Sequence, residues 1–297
     1  TLSTLEDMDR LFGGMALDKT RIVHNIGSAT LIELAMFIVY AERQGVSPDQ
    51  LMGNSMNWLY KAPFVDYAMF PPSGAFPLMV EFIKYRSRNM PKWNTTNLCG
   101  YFVEEAGGNC IQEAAFILSA GIAISEACIQ AGLQPDEFLP RMGFQFAQGN
   151  DFFEHIAKLR AIRKMWAKIT RERLGAKDSK SMHFRVHIHT SGIALTAQQP
   201  LNNLIRATLH TLGSVLAGTN SIATAAYDEA FAIPTEDAAT LALRTQQIIQ
   251  DETNLPNVSD PLAGSYFMEW LTHKLEEETF SLIAQIDERG GYQRCWE

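Results

Sequence analysis

Between Ser181 and Thr190 polar and apolar side chains alternate. His183, Arg185, His187 and His189 fall on one face, and Phe184, Val186 and Ile188 on the other. A period of two is that of a β-strand. Gln199-Pro200 then leads into apolar positions at helical spacing from Leu201 to Leu216, ended by Gly218, and a second short strand pattern covers Thr219 to Thr224. Strand, helix and strand in this order predict a βαβ unit, which implies parallel strands covered by helices. Both faces of such a sheet are normally apolar. A row of imidazoles on one face therefore predicts a wet, functional interior in place of the branched aliphatic layers that usually fill a barrel.

The same reading extends along the chain. Ser3, followed by Glu6, predicts a capping box for a helix to Leu11. Arg21–Ile26 and Gly53–Asn57 read as strands, with a helix from Ser28 to about Arg43 between them. Phe70 to Gly74 is a turn, Phe76 to Arg88 a helix and Asn94 to Cys99 a strand. Gly107-Gly108 opens a long helix, Ile111 to Ala131, Pro140 to Ala147 gives a strand, and Asp151 caps a helix from Phe152 to Arg173. After the 182–190 strand and its unit, Thr235 and Ser265 cap helices to about Asp251 and Arg289. Six strands alternating with helices predict an α/β fold, either a (β/α)8 TIM-type barrel or an open doubly wound sheet. No Gly-rich phosphate fingerprint follows a strand, which argues against the dinucleotide fold. Six units are two short of eight, so a barrel would have its first strands upstream of Thr1. The start at Thr1 and the stop soon after Gly290-Gly291 are those expected of a fragment.

Composition narrows the picture. With 297 residues and 46% hydrophobic content, the chain can build one large α/β domain. A formal charge of −8 and no basic stripe with aromatics give no footprint for nucleic acid. Cys99, Cys110, Cys128 and Cys295 match no zinc spacing and read as reduced cytoplasmic thiols. No signal peptide opens the chain, and the longest apolar stretch, read as Leu31 to Ala41, is too short to span a membrane.

Several longer runs carry a resemblance. They include Ser191-Gly192, Leu195 to Pro200 with Asn202-Asn203, Gly218-Thr219 through Asp228-Glu229-Ala230, Pro234-Thr235-Glu236, Arg244 to Ile249, and Asp260 to Tyr266. With Phe70-Pro71-Pro72, Gly100-Tyr101, Glu105-Ala106-Gly107 and Asp151-Phe152-Phe153, they resemble the large-subunit barrel of the methylmalonyl-CoA mutase family over nearly the whole chain. The resemblance implies a barrel with a CoA thioester along its axis and adenosylcobalamin over the strand C-termini. There a cobalt–carbon bond is homolysed and a radical rearranges the acyl skeleton. The cofactor performs the hard step while the protein orients and excludes water. Residues 1–297 would be a partial barrel. The cobalamin-binding domain, whose Asp-x-His-x-x-Gly signature is absent from this sequence, would be a separate chain or a further part, and the protein a dimer or heteromer.

Carried over position by position, Glu229 matches the glutamate that bonds the adenosyl ribose, Tyr101 an active-site tyrosine beside the substrate, and His187 a histidine near the corrin. Other positions depart. Phe102 replaces a histidine that donates to the thioester carbonyl. His189 replaces a glutamine near the corrin, Gln145 a substrate-contacting phenylalanine, and Asn220 a glutamine. Met56 replaces a glutamine beside a retained Asn57. The arginine that pairs with the free carboxylate of methylmalonyl-CoA should fall near Val65 or Asp66, where there is none. A carboxylate there would lose its fork-shaped partner and meet Asp66 instead. The expected roles are Tyr101 and His189 at the reacting group, Tyr101, Phe102, Gln145 and Asn57 on substrate, and Glu229, His187, His189 and Asn220 on the cofactor. Two explanations of the departures stay open: a mutase for another acyl-CoA, or a mutase-like subunit that no longer catalyses.

The residues also admit blander readings. His187 and His189 read equally as a hydrogen-bonded pair in a polar barrel. His-x-His on a barrel strand is also the zinc-binding pattern of metal-dependent hydrolases. That chemistry needs further ligands on later strands, whereas His210 and His273 both fall in helical patterns. His24, His155, His183, His210 and His273 are assigned no catalytic role, and Glu276 to Glu278 read as a solvated helix face.

Overall fold

The computed structural model describes residues 2–24, 27–56 and 71–296. Among them are the strands β1 (Arg21–His24), β2 (Met52–Ser55), β3 (Thr96–Cys99), β4 (Met142–Gln148), β5 (Arg185–Thr190) and β6 (Ser221–Ala223). The helices are α1 (Leu5–Phe12), α2 (Thr30–Arg43), α3 (Pro72–Asn89), α4 (Tyr101–Glu105), α5 (Cys110–Gln130) and α6 (Pro135–Phe138). They continue with α7 (Phe152–Lys168), α8 (Asn202–Leu216), α9 (Glu236–Asp251), α10 (Tyr266–Glu288) and α11 (Gly291–Trp296). Every strand pairing is parallel, and the strands follow sequence order: β1–β2 form one pair and β3-β4-β5-β6 a four-stranded sheet. A single parallel bridge, Gly53 to Trp93, joins the two, with the Asn94 N–H donating to the Gly53 carbonyl at 3.0 Å. This is the wall of a TIM-type barrel, not closed among the described residues.

The two faces of the wall differ as the alternation requires. Toward the helices point Leu98, Phe144, Phe146, Val186 and Ile188, each at most 2% exposed. They pack with Ile117, Leu118, Leu159, Ile162 and Trp166 of α5 and α7 in the larger core. Burying each such side chain stabilises by roughly 1.5–3 kcal/mol. Toward the interior the register aligns Asn97, Gly143 and Arg185, then Cys99, Gln145, His187 and Ser221, then Ala147, His189 and Ala223. A second core holds Met8, Phe12, Leu34, Phe37, Tyr40 and Trp93 beneath β1 and β2.

Several local expectations are corrected. The α1 box is closed by Thr4 and Asp7, one position beyond Ser3 and Glu6, because Asp7 reaches both the Ser3 and Thr4 N–H groups. The 182–190 strand starts only at Arg185, since Ser179–Met182 is wound into a 3-10 turn. The Asp136 carboxylate holds that turn, accepting from the Lys177 and Asp178 N–H groups and from Ser181 Oγ. Asp151 stands at the α7 N-cap without a side-chain cap, its carbonyl accepting instead from the His155 backbone and ring. The last turn of that helix, Ile169–Arg173, is a π turn. Ser265 likewise caps α10 by position only. The longest apolar stretch is α5, not Leu31–Ala41. Long and apolar enough to cross a membrane, α5 is 67% buried inside the protein and carries a buried Glu113. The expected strand end at Asn57 and the Val65–Asp66 position lie outside the described residues. The four cysteines are free, and Cys99, Cys110 and Cys128 are buried.

Candidate active site

The ends of β3, β4 and β5 stand side by side because β4 runs past its neighbour. Cys99 pairs with Gln145, and the Gly100 N–H still donates to the Gln145 carbonyl at 2.7 Å, after which the chain turns into α4. That turn sets Tyr101 over the strand ends, its ring centroid 4.6 Å from that of His189 and 5.9 Å from that of Phe102. His189 Nδ1 lies 2.8 Å from the Thr190 carbonyl. A carbonyl only accepts, so Nδ1 carries the proton and Nε2 is left for a ligand.

Gly192, just beyond β5, is the centre of a tight cluster. A Cβ on it would stand 3.1 Å from Glu105 Oε2, 3.2 Å from the Tyr101 hydroxyl and 3.4 Å from Glu229 Oε1. A side chain there would press on all three groups, so glycine gives the backbone its closest approach to them. Glu105, which sequence reasoning left without a role, ties the loop: it accepts from Ser191 Oγ at 3.0 Å, from the Gly192 N–H at 2.9 Å and from the Ile193 N–H at 3.2 Å. Its one signal in the sequence is its place in the Glu105-Ala106-Gly107 run. Burial, then the charges of Glu105 and Glu229, push the Tyr101 phenol above its ordinary value, so it stays a protonated donor. Burial also raises Glu229, with His189 working against the shift and Glu105 adding to it.

Below this cluster, at the strand starts, a cavity of about 800 Å³ runs from the interior face around to Phe144, Val186 and Arg163. Arg21, Asn54, Asn97, Arg185, His187 and Ser221 are among its lining residues. His187 sits one layer below His189, its Nδ1 2.8 Å from Ser221 Oγ. Burial, helped by His189, lowers its pKa to about 4, so it is neutral at pH 7. Gln145 lies in the same layer, 7% exposed.

The structure thus brings Tyr101, Phe102, His189 and Glu229 together at the strand ends and sets His187 and Gln145 beneath them. It does not bring Asn220 to that end. Asn220 precedes β6, and its Oδ1 accepts from the Val186 N–H at 2.9 Å, toward the strand starts. Asn57 lies outside the described residues. Among the described residues no three His, Cys, Asp or Glu side chains are grouped to hold a metal ion. The carboxylates, the phenol and the open His189 Nε2 are acceptors and donors suited to ribose hydroxyls and amides. The donor set therefore fits a nucleoside-bearing cofactor such as adenosylcobalamin over the strand ends.

Comparison with known proteins bears on this arrangement. The family described as methylmalonyl-CoA mutase matches residues 1–297. Methylmalonyl-CoA mutase of Escherichia coli is 42% identical over 297 residues, covering 100% of this chain and 42% of the relative. The human mitochondrial methylmalonyl-CoA mutase is 39% identical over 295 residues, 99% of this chain and 39% of the relative. The 2-hydroxyisobutanoyl-CoA mutase large subunit of Aquincola tertiaricarbonis is 38% identical over 291 residues, 98% of this chain and 52% of the relative. The chain spans about half the length of these relatives, or less.

Proposed function

The chain belongs to the methylmalonyl-CoA mutase family, and from that membership we propose that the protein carries out an adenosylcobalamin-dependent rearrangement of an acyl-CoA thioester, as an intramolecular transferase. The observation that carries the reading is the convergence of Tyr101, His189, Glu105 and Glu229 around Gly192, directly above a polar cavity. Residues 1–297 form part of the barrel, and a cobalamin-binding domain, in another segment or chain, completes the site. The enzyme works in the cytoplasm, where four free thiols persist.

The cavity takes the CoA arm, with Arg21 and Arg185, at the starts of β1 and β5, toward the phosphates and Asn97 and Asn220 along the pantetheine. Tyr101 stays protonated and donates at the reacting end, packed between His189 and Phe102. Phe102 shapes the wall, and Gln145 and neutral His187 offer hydrogen bonds to the acyl part. Asn57 joins them by its place in the family motif. Glu229 holds the adenosyl ribose, and His189 Nε2 faces the corrin. Bound adenosylcobalamin would supply the radical that starts the rearrangement. The completed barrel would keep water from that event.

The acyl group is one without a free carboxylate. Residues 57–70 contain no arginine. In the two upper interior layers, Cys99, Gln145, His187, Ser221, Ala147, His189 and Ala223, there is neither lysine nor arginine among the described residues. A carboxylate desolvated there would lack a bidentate partner. The relative named for 2-hydroxyisobutanoyl-CoA, an acyl group with no carboxylate, supports this choice.

Anaerobic EPR tests the proposal, on the full-length protein with its cobalamin domain and adenosylcobalamin, against a panel of branched and linear acyl-CoAs. The expected result is a thioester-dependent paramagnetic signal and a rearranged product with a carboxylate-free acyl group. A signal with methylmalonyl-CoA alone would overturn the substrate assignment. Silence across the panel with cofactor bound would overturn the activity and leave a non-catalytic subunit.

A further inference from the structure

We infer that Glu104 and His155 are positioning residues, a buried charge pair that locks together the three loops following β3, β4 and β5. The pair lies behind the site and touches none of the groups assigned to substrate or cofactor. His155, on α7, has Nδ1 2.9 Å from the Asp151 carbonyl and Nε2 2.9 Å from Glu104 Oε2. Burial works against the Glu104 carboxylate, yet the His155 hydrogen bond and the Lys158 charge pull its pKa down to about 2. Glu104 is therefore ionised, and His155 donates through both ring nitrogens.

Two further charges complete the cluster. Lys158, 1% exposed, is 3.7 Å from Glu104 Oε2, bonds Glu113, and donates to the Ala147 carbonyl at 3.0 Å. Glu113 Oε1 accepts the Ala147 N–H at 2.8 Å. Burial raises the pKa of the Glu113 carboxyl while Lys158 works against the shift, and each buried group of the cluster has a hydrogen-bond or charge partner, the condition under which such a group is tolerated away from water.

What the pair touches defines its work. Glu104 precedes Glu105, the residue that ties Ser191, Gly192 and Ile193. On its other side stands Gly149, just past β4. A Cβ there would lie 2.7 Å from Glu104 Oε1 and 3.2 Å from His155 Cε1. The segment after β3 contributes Glu104, the loop after β4 gives Gly149 and Asp151, and the loop after β5 is tied to the neighbouring Glu105 through Ser191, Gly192 and Ile193. The three are joined through Glu104 and Glu105 on α4, anchored to a long helix by His155. A site whose groups come from separate loops needs such a support to hold its geometry.

Hydrogen exchange of the free full-length protein reads this directly, whatever reaction it catalyses. Glu104→Leu removes the contact with His155 that holds Glu105 in place, and amides of Ser191, Gly192 and Ile193 should exchange about tenfold faster or more. Glu104→Gln should stay within about twofold of wild type, because its amide can donate to a neutral His155 while Lys158 and Glu113 remain balanced. Should Glu104→Leu fail to fold, Gly149→Ala displaces the pair without deleting a polar group and should raise the same amides. Wild-type exchange in a folded Glu104→Leu or Gly149→Ala protein overturns the inference. With the thioester found by EPR, Glu104→Leu should lower kcat about tenfold with KM changed less than about twofold, and Glu104→Gln should restore it. Slower turnover without faster exchange overturns it as well. If no thioester turns over, the exchange result still decides the positioning role.

Discussion

Individual buried histidines couple stability to pH. His187 and His210 both titrate at about 4 in the folded protein. Burial with His189 nearby lowers the first, and burial with His155 and Arg206 nearby lowers the second. In the unfolded chain both titrate near the ordinary 6.5. Above 6.5 neither state is protonated and nothing changes. As pH falls from 6.5 toward 4, the unfolded chain takes up protons that the folded one refuses. Stability should therefore fall by at most ~1.4 kcal/mol per pH unit for each histidine. Urea unfolding of the full-length protein at pH 7.5 and pH 5 measures the loss, and His210→Gln should remove about half of it; an undiminished loss would contradict the assignment. The sequence showed the facing of His187 and His189 because alternation along a strand is a local property. It did not show Glu105 as a clamp or Glu104 with His155 as a pair. These partners lie 87 and 51 residues apart, and only the parallel stacking of strand ends brings them together. A histidine and a lysine on the apolar face of α7 were the faint sign, since a buried charge requires a partner.

At the level of elements, the periodic patterns located all six strands and the long helices, and the errors sit at ends. The start of β5 was misjudged because Asp136, distant in sequence, captures the preceding turn. The short α4 carries no periodicity of its own, yet it presents Tyr101, Phe102, Glu104 and Glu105. The packing of α2 onto β1 and β2 is more ordinary and gives a plain expectation. Phe37 is fully buried, with its ring centroid 5.1 Å from those of Phe12 and His24 and 6.0 Å from that of Trp93. Phe37→Ala should destabilise this part by about 3–5 kcal/mol through lost burial and the cavity left behind. Denaturant unfolding followed by tryptophan fluorescence tests this, and a cost below about 1 kcal/mol would mean the core refills.

For the molecule as a whole, the strand order is that of a barrel wall, in keeping with the alternation of strands and helices along the sequence. What the pattern could not convey is that the wall has two cores with Trp93 at their join. Trp93 belongs to the core under β1 and β2, although in sequence it leads into β3, and its Nε1 donates to Ser55 Oγ at 2.9 Å. Around it, among the described residues, the pair β1–β2 meets the four-stranded sheet through one β-bridge, Gly53–Trp93, and a few hydrogen bonds. Under mechanical load that seam is the weak link. A continuous ladder shares tension over many hydrogen bonds, whereas this seam spreads it over few: two backbone bonds through Gly53 and the Trp93–Ser55 bond. Gripped near α1 and near α10, the chain would part at the seam before the β3–β6 ladder shears. Once the β1–β2 pair and its core unfold after the seam, the length released would be about 300 Å, the contour of the residues preceding Trp93 at about 3.4 Å apiece. The barrel wall would behave as two links of unequal strength, the stronger one holding most of the chemistry.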